Sequence, residues 1–392
     1  MTIDLTVPAV EAMHQRAGAK WSAYDGDVLS ATIAEMDFPL APPVAEALHH
    51  AIDRADLGYP KPATPALRRS FARFAARRLN WRVDEEQIVL VPDVMIGLVE
   101  LCRVIAAPGE PVAFATPAYP PFFSMLPEAG VELLEIGLLA DGSLDLDALD
   151  AALAAGARAL VLASPHNPTG RVLARGELEA IAERCAEHEA WVLADEIHGA
   201  LTLPGATYTP WLEVSDAARR CGISVTSASK AFNLAALKAA LVVTADPAAR
   251  DVVGRMPSLH EHAGLLGVIA AEAAFEDGEP WLDAVIGQLA ANRDQLGRDL
   301  AETLPEISWR PPQATYLAWL DCTGLALGDE PAEAFLREGR VALGRGLDYG
   351  APGAGHARLN FATSSGHLSD AIERMARARP ILRDANRTRT EV

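Results

Sequence analysis

Along this 392-residue chain, short unbroken apolar runs alternate with alanine-rich stretches whose apolar positions recur at helical spacing. The runs Gln87-Ile88-Val89-Leu90-Val91, Pro111-Val112-Ala113-Phe114, Ala159-Leu160-Val161-Leu162-Ala163 and Trp191-Val192-Leu193-Ala194 read as buried strands, and Gly222–Thr226 and Ala240–Val243 continue the series. Such strands need cover on both faces, so the pattern predicts an α/β fold with a mainly parallel sheet and active-site residues in the loops after the strand C-termini. From about Glu272 to Arg310 the chain reads as one long helical stretch. A second unit is expected beyond it, with strands near Thr315–Leu320 and Ala357–Phe361 and a helix over 367–379; the tail from Asp384 to Val392 reads as frayed.

Composition narrows the function. Half the residues are hydrophobic and 22% are charged, as in ordinary globular chains. Lys and Arg total 34 against 53 Asp and Glu, a net charge of -19, and such a surface repels polyanions and anionic headgroups, so no nucleic-acid partner is expected. No apolar run reaches the roughly 18 residues of a membrane span, and the N-terminus lacks a basic-then-apolar leader pattern, so a cytoplasmic chain is expected. Cys102, Cys185, Cys221 and Cys322 form no CxxC pair and read as buried thiols. Only four basic residues are lysine, namely Lys20, Lys61, Lys230 and Lys238. Against so strong a preference for arginine, a retained lysine can signal chemistry that needs a deprotonatable amine.

Three segments carry candidate chemistry. In Thr226-Ser227-Ala228-Ser229-Lys230, small hydroxyl residues after a strand can donate to a phosphate, Lys238 adds a cation, and Lys230 can form a Schiff base with an aldehyde. Taken alone, Lys230 reads as a surface lysine at a capped helix start. Ala163-Ser164-Pro165-His166-Asn167-Pro168-Thr169-Gly170 is a polar turn after a strand, where Asn167 offers amide donors. Trp191-Val192-Leu193-Ala194-Asp195-Glu196-Ile197-His198 ends a strand in carboxylates and an imidazole. A metal would need further ligands, and the spare cluster His260-Glu261-His262 has no metal spacing, so no metal site is assigned. Together, an imine-forming Lys230, Asp195 for a ring nitrogen, Asn167 for a phenolic oxygen, and hydroxyls with Lys238 for a phosphate describe pyridoxal 5'-phosphate.

With these segments in hand, the chain resembles the fold-type I pyridoxal phosphate enzymes of aminotransferase class I/II. Within them it is similar to the MalY/PatB-type cystathionine β-lyase branch. Ala34-Glu35-Met36-Asp37-Phe38-Pro39, Gly58-Tyr59-Pro60, Pro117-Ala118-Tyr119-Pro120 and Arg358-Leu359-Asn360 carry the likeness beside Asp195-Glu196-Ile197-His198. The resemblance implies a three-layer α/β/α transferase-like fold of the aspartate aminotransferase type, with a mainly parallel central sheet and a smaller α+β domain. An N-terminal segment (1–49) would join the small domain, followed by a large cofactor-binding domain (50–280) and a C-terminal small domain (281–392).

It also implies roles. Lys230 is catalytic; Tyr119 stacks on the cofactor; the amides around Asp93, Val94 and Met95 cradle its phosphate with Ser227, Ser229 and Lys238; Asn167, Asp195 and His198 complete the cofactor site. Tyr59 reaches the phosphate of a neighbouring subunit in a homodimer. Asp37, Phe38 and Arg358 face the amino-acid substrate, Arg358 clamping its carboxylate. The activity implied is α,β-elimination from L-cystathionine or another L-cysteine S-conjugate, giving a thiol, pyruvate and ammonia. An aminotransferase, a specialised biosynthetic step on a cysteine conjugate, or a ligand-sensing regulator on the same fold are the alternatives. His198 and Lys238 stand where aminotransferases usually carry Tyr and Arg, which leans toward lyases. Leu343-Gly344-Arg345-Gly346 and Thr363-Ser364-Ser365-Gly366 depart from the family pattern, and Arg345 reads either as a second anion contact or as a solvated loop residue.

Overall fold

The computed structural model describes residues 3–61 and 64–389. In chain order its strands are β1 (Leu29–Ala31), β2 (Ile88–Val91), β3 (Pro111–Thr116), β4 (Glu132–Gly137), β5 (Ala159–Ala163), β6 (Trp191–Asp195), β7 (Gly222–Thr226), β8 (Ala240–Thr244), β9 (Ser308–Trp309), β10 (Leu317–Asp321), β11 (Val341–Arg345) and β12 (His356–Asn360). The chain divides into two compact units, one of residues 40–167 and 171–283, the other of residues 1–39, 168–170 and 284–392.

The larger unit is a seven-stranded sheet in the order β2-β8-β7-β6-β5-β3-β4. All its neighbours run parallel except β8, which is antiparallel to both β2 and β7. The inner strands are mostly apolar because both faces are covered, and every residue of β5, β7 and β8 is buried, whereas the edge strand β4 carries the exposed Glu132 and Glu135. Helix Val94–Ile105 packs its Leu98, Leu101 and Cys102 into a core with Phe114, Val161, Leu193 and Val242. Each such fully buried large apolar side chain contributes roughly 1.5–3 kcal/mol. Helix and sheet approach closely at Gly97, where a Cβ would lie 3.3 Å from Val91 and 3.4 Å from Val225. In-register pairing of β5, β6 and β7 sets Asp195 opposite Ala163 on one side and Val225 on the other. The polar loops after β2, β3, β5, β6 and β7 therefore leave from the C-terminal ends of parallel strands, where such sheets bind ligands.

A second core in this unit is aromatic. Phe74, Phe232 and Phe275 meet at centroid distances of 5.0–6.3 Å, and Phe232 stacks on Trp281 at 5.9 Å and 23°. Phe232 is wholly buried, so it anchors the short helix Ala228–Ala231 that carries Lys230.

The smaller unit is a five-stranded sheet in the order β1-β11-β12-β10-β9, with β1 parallel to β11 and the other pairs antiparallel. Its helix Ser365–Arg389 starts near the expected place but continues through most of the tail read as frayed, of which 390–392 lie outside the described residues.

The long helical stretch expected over 272–310 is corrected. Helix Leu265–Asp277 ends at Gly278 and helix Glu279–Thr303 begins afresh. Pro280 lacks the N–H that would continue the first helix and would clash with the carbonyl four residues back. Pro305 bars continuation of the second, and the chain turns into β9. Among the described residues, no helix is long and apolar enough to cross a membrane.

Candidate active site

The edge of the larger unit is built around Asp195, the last residue of β6. Its carboxylate is buried at 7% exposure and accepts a 3.2 Å bond from the Ile197 amide. Burial pushes its pKa up to about 6, partly opposed by that amide and by the cation of Lys230. The turn after β5 is tied to the same place, since the Ser164 amide donates to the Asp195 carbonyl at 2.9 Å. Asn167 and His166 in that turn are buried, and burial first, then Arg171, lowers His166 to about 4, which keeps its ring neutral at physiological pH. His198 is likewise buried, at the entry to a short 3-10 turn.

Glu196 is the buried neighbour of Asp195. It accepts from the Trp211 amide at 2.7 Å and from the Tyr208 hydroxyl, and burial raises it to about 7. Tyr208 and Trp211 escaped the sequence reading. The one available signal was Gly199, where a Cβ would come within 2.7 Å of the Tyr208 ring, so only glycine admits that tyrosine.

Lys230 lies on helix Ala228–Ala231, capped by Ser227. The Ser227 hydroxyl accepts from the Ser229 amide at 3.0 Å and donates to the Ala239 carbonyl at 2.6 Å. Its one proton is thus engaged within the fold, and Ser227 can donate to a phosphate only by releasing Ala239. Ser229 stays in the first turn, with its carbonyl accepting from the Leu234 amide.

On the far side of β7, Asp93 caps helix Val94–Ile105 by accepting from the Ile96 amide at 2.8 Å, and its other oxygen takes Lys238 Nζ at 2.9 Å. The amides of Val94 and Met95 fall in the first turn, outside the helix's own ladder. A helix start with a lysine held beside it suits an anion. The turn ending in Lys238 is seated on Gly264 and Gly267, where a Cβ would come within 2.7 and 2.1 Å of the Leu237 carbonyl oxygen. No periodicity marks those two glycines, and the sequence reading missed them.

Tyr119 follows β3 and heads helix Pro120–Met125, with its half-buried ring edge-on to Phe122 at 5.9 Å and 81°. Tyr59 is 88% exposed in its own chain, alongside the exposed Leu57 and Ile52. The side chains of His260 and Glu261 lie outside the described residues, and among those described no cluster of three metal-ligating side chains occurs.

In the smaller unit, Arg358 is buried on β12, donates to the Thr32 carbonyl at 2.9 Å and lies over the Tyr349 ring at 5.0 Å. Asp37 and Phe38, expected to face the substrate, are buried within the smaller unit. Phe38 is a core residue at 3% exposure, and Asp37, at 1%, accepts Lys20 Nζ at 2.9 Å and the Trp21 indole N–H at 2.8 Å. Both donors reach the same oxygen, Oδ1, so the charge of this carboxylate is matched by a cation of its own unit. Arg345 ends β11 with its side chain 51% exposed and bonds Glu330 and Glu333 at 3.1 Å each, a surface ion-pair cluster. The 363–366 loop is organised by buried Asn292, which donates to the carbonyls of Phe361 and Thr363 at 2.8 and 2.7 Å.

The donor set of the larger unit fits pyridoxal phosphate. A buried carboxylate that burial holds short of full ionisation gains by meeting a protonated ring nitrogen, and an amine on a firmly anchored helix and an anion-receptive helix start complete the requirements.

The sequence model of the family described as aminotransferase class I and II matches residues 27–375. A Mycobacterium tuberculosis protein provisionally named a cystathionine β-lyase is 42% identical over 391 residues, covering 93% of this chain and 95% of that protein. The Bacillus subtilis cystathionine β-lyase PatB is 33% identical over 359 residues, covering 90% and 92%. Among solved structures, a pyridoxal-phosphate-dependent β-cystathionase of Corynebacterium diphtheriae, also provisionally named, superposes with a TM-score of 0.91 at 34% identity, covering 96% of this chain and 99% of that one.

Proposed function

The chain belongs to the aminotransferase class I and II family, and on that premise we propose that it is a pyridoxal-phosphate-dependent carbon–sulfur β-lyase. Its substrate is L-cystathionine or another S-conjugate of L-cysteine, and with one water it yields a thiol, pyruvate and ammonia. The observation that carries this reading is the buried carboxylate of Asp195 at the C-terminal end of a parallel strand, within the field of Lys230. The names borne by relatives decide for elimination over transamination.

When bound, the cofactor supplies an electron sink that makes the substrate Cα–H acidic. Asp195 holds the ring nitrogen protonated, since a carboxylate buried beside it favours the charged form. Asn167 would donate to the phenolic oxygen and Tyr119 would lie against the ring. The amides of Val94 and Met95, with Lys238 and Ser229, hold the phosphate. Lys230 Nζ takes the proton from Cα as general base, and the thiolate leaves from Cβ. Arg358 binds the α-carboxylate as a fixed fork, oriented by the Thr32 carbonyl. Two copies of the chain pair so that Tyr59 reaches the phosphate held by the other copy, which accounts for so exposed a tyrosine. The enzyme works in the cytoplasm, as four unbridged buried cysteines allow.

Incubating the purified holoenzyme with L-cystathionine and with S-alkyl cysteines, with no keto acid present, tests the assignment. Sustained release of pyruvate and thiol over many turnovers is expected. One turnover per subunit, resumed only on adding a keto acid, would make it an aminotransferase. Mixing Tyr59→Ala with Lys230→Ala subunits tests the pairing: hybrid dimers regain activity above the sum of the parents only if Tyr59 acts in the other copy's site.

A further inference from the structure

The segment Thr32–Asp37, which follows β1, is irregular, yet nearly all its carbonyls are taken by side chains of the same unit. Thr32 accepts from Arg358 at 2.9 Å, Ile33 from Asn360 at 2.6 Å, Ala34 from the Tyr316 hydroxyl at 2.8 Å, and Glu35 from Asn360 at 2.7 Å and Lys20 at 2.9 Å. The Asp37 amide donates to Ala362 at 2.9 Å, while its carbonyl accepts from Arg16 at 3.3 Å. Arg358 and Asn360 are two apart on β12, so they lie on one face of that strand and grip successive carbonyls of the segment.

What closes the far end is the ammonium of Lys20, which bonds both the Glu35 carbonyl and the Asp37 carboxylate, each partner of the ion pair being 2% exposed. Trp21, the next residue, donates to the same carboxylate oxygen. His14 ties this hook down, with its two ring nitrogens at 2.9 and 2.8 Å from the carbonyls of Trp21 and Val28. In a chain that otherwise prefers arginine, the compact ammonium fits a point contact to two oxygens, which a planar guanidinium would not match.

We propose that the Lys20–Asp37 pair is a latch whose function is to position Arg358. By fixing the Glu35–Asp37 end of the segment it fixes the Thr32 carbonyl at the other, and that carbonyl sets the plane of the guanidinium. Lys20 and Asp37 are therefore positioning residues for carboxylate recognition. This rests on the reading of Arg358 as the carboxylate clamp.

The test compares competitive inhibition of the holoenzyme by L-alanine with inhibition by L-alaninamide, which lacks the anionic carboxylate, in wild type, Asp37→Asn, the double variant Lys20→Met/Asp37→Leu, and Arg358→Lys. The double variant removes both charges together and so avoids leaving one buried alone. Wild type is expected to prefer L-alanine. Asp37→Asn and the double variant are expected to weaken L-alanine about tenfold while L-alaninamide stays unchanged, and to raise KM for L-cystathionine more than they lower kcat, the signature of lost binding. If Arg358→Lys loses the preference but a folded Asp37→Asn or double variant keeps it, the latch is overturned and the clamp stands. If Arg358→Lys itself keeps the preference, the clamp reading fails and the latch fails with it.

Discussion

Two aspartates, one in each unit, are almost equally hidden and differ in what surrounds them. Asp37 meets an ammonium at 2.9 Å and an indole donor at 2.8 Å, both from its own unit. Asp195 takes a long amide bond from Ile197 and feels the charge of Lys230, but burial dominates and its pKa climbs to about 6. In the first, a cation of the same unit matches the charge at 2.9 Å, and the pair is architectural. The second is held short of full compensation, at the end of a parallel strand, and a group in that condition is positioned for a cation that arrives with a ligand. Burial alone thus does not mark a functional carboxylate; incomplete compensation does.

The contrast can be broken most strongly through Lys230. Lys230→Ala should lower pyruvate formation from L-cystathionine by more than about a thousandfold, since general-base and nucleophilic roles are lost together, read as kcat in a coupled assay. Asp195→Asn should reduce kcat by about 10²–10³-fold through loss of an aimed charge in a buried site, with no comparable effect expected at Asp37.

Stability should respond in the opposite sense. Lys20→Met leaves Asp37 buried without its cation and should cost about 3–5 kcal/mol in denaturant unfolding of the cofactor-free protein. Asp195 carries a folded pKa near 6, above the ordinary value of about 3.9, so the folded state binds the extra proton between those values. Its contribution is fully favourable below about pH 4 and is lost as pH rises to about 6. Asp195→Asn should therefore stabilise the cofactor-free protein by about 2–3 kcal/mol at pH 8 relative to wild type, and by nothing at pH 4. Glu196, raised to about 7, gives wild type a similar slope, so the difference between the two proteins is the quantity to follow.

The smallest effect belongs to Lys238. Its ion pair with Asp93 is half exposed at 55%, so Lys238→Ala should shift stability by less than about 1 kcal/mol. It should weaken the cofactor by about fivefold to tenfold in an absorbance titration, since the phosphate keeps the helix start.

Much of the larger unit was legible because parallel strands buried on both faces must be apolar, and a polar residue ending such a run stands out. Asp195, Asn167 and Lys230 each follow a run of that kind. The helix break at Gly278–Pro280 was legible in principle, since proline forbids continuation, but alanine-rich periodicity on either side masked it. The smaller unit was read less well. Asp37 belongs to a segment whose family likeness suggested substrate contact, whereas its partner Lys20 lies 17 residues away with no periodic relation to it. Asn292, Tyr208 and the seat at Gly264 and Gly267 escaped for the same reason. Contacts between residues far apart in the chain leave no repeating trace in the sequence.

The central claim is that Asp195 is left incompletely compensated so that it can hold a protonated ring nitrogen. The direct measurement is the NMR shift of the pyridine nitrogen in holoenzyme reconstituted with ¹⁵N-labelled cofactor. Wild type should show a protonated nitrogen up to at least pH 8, and Asp195→Ala an unprotonated one. An unprotonated nitrogen in wild type, or a protonated one that persists in Asp195→Ala, would contradict the account.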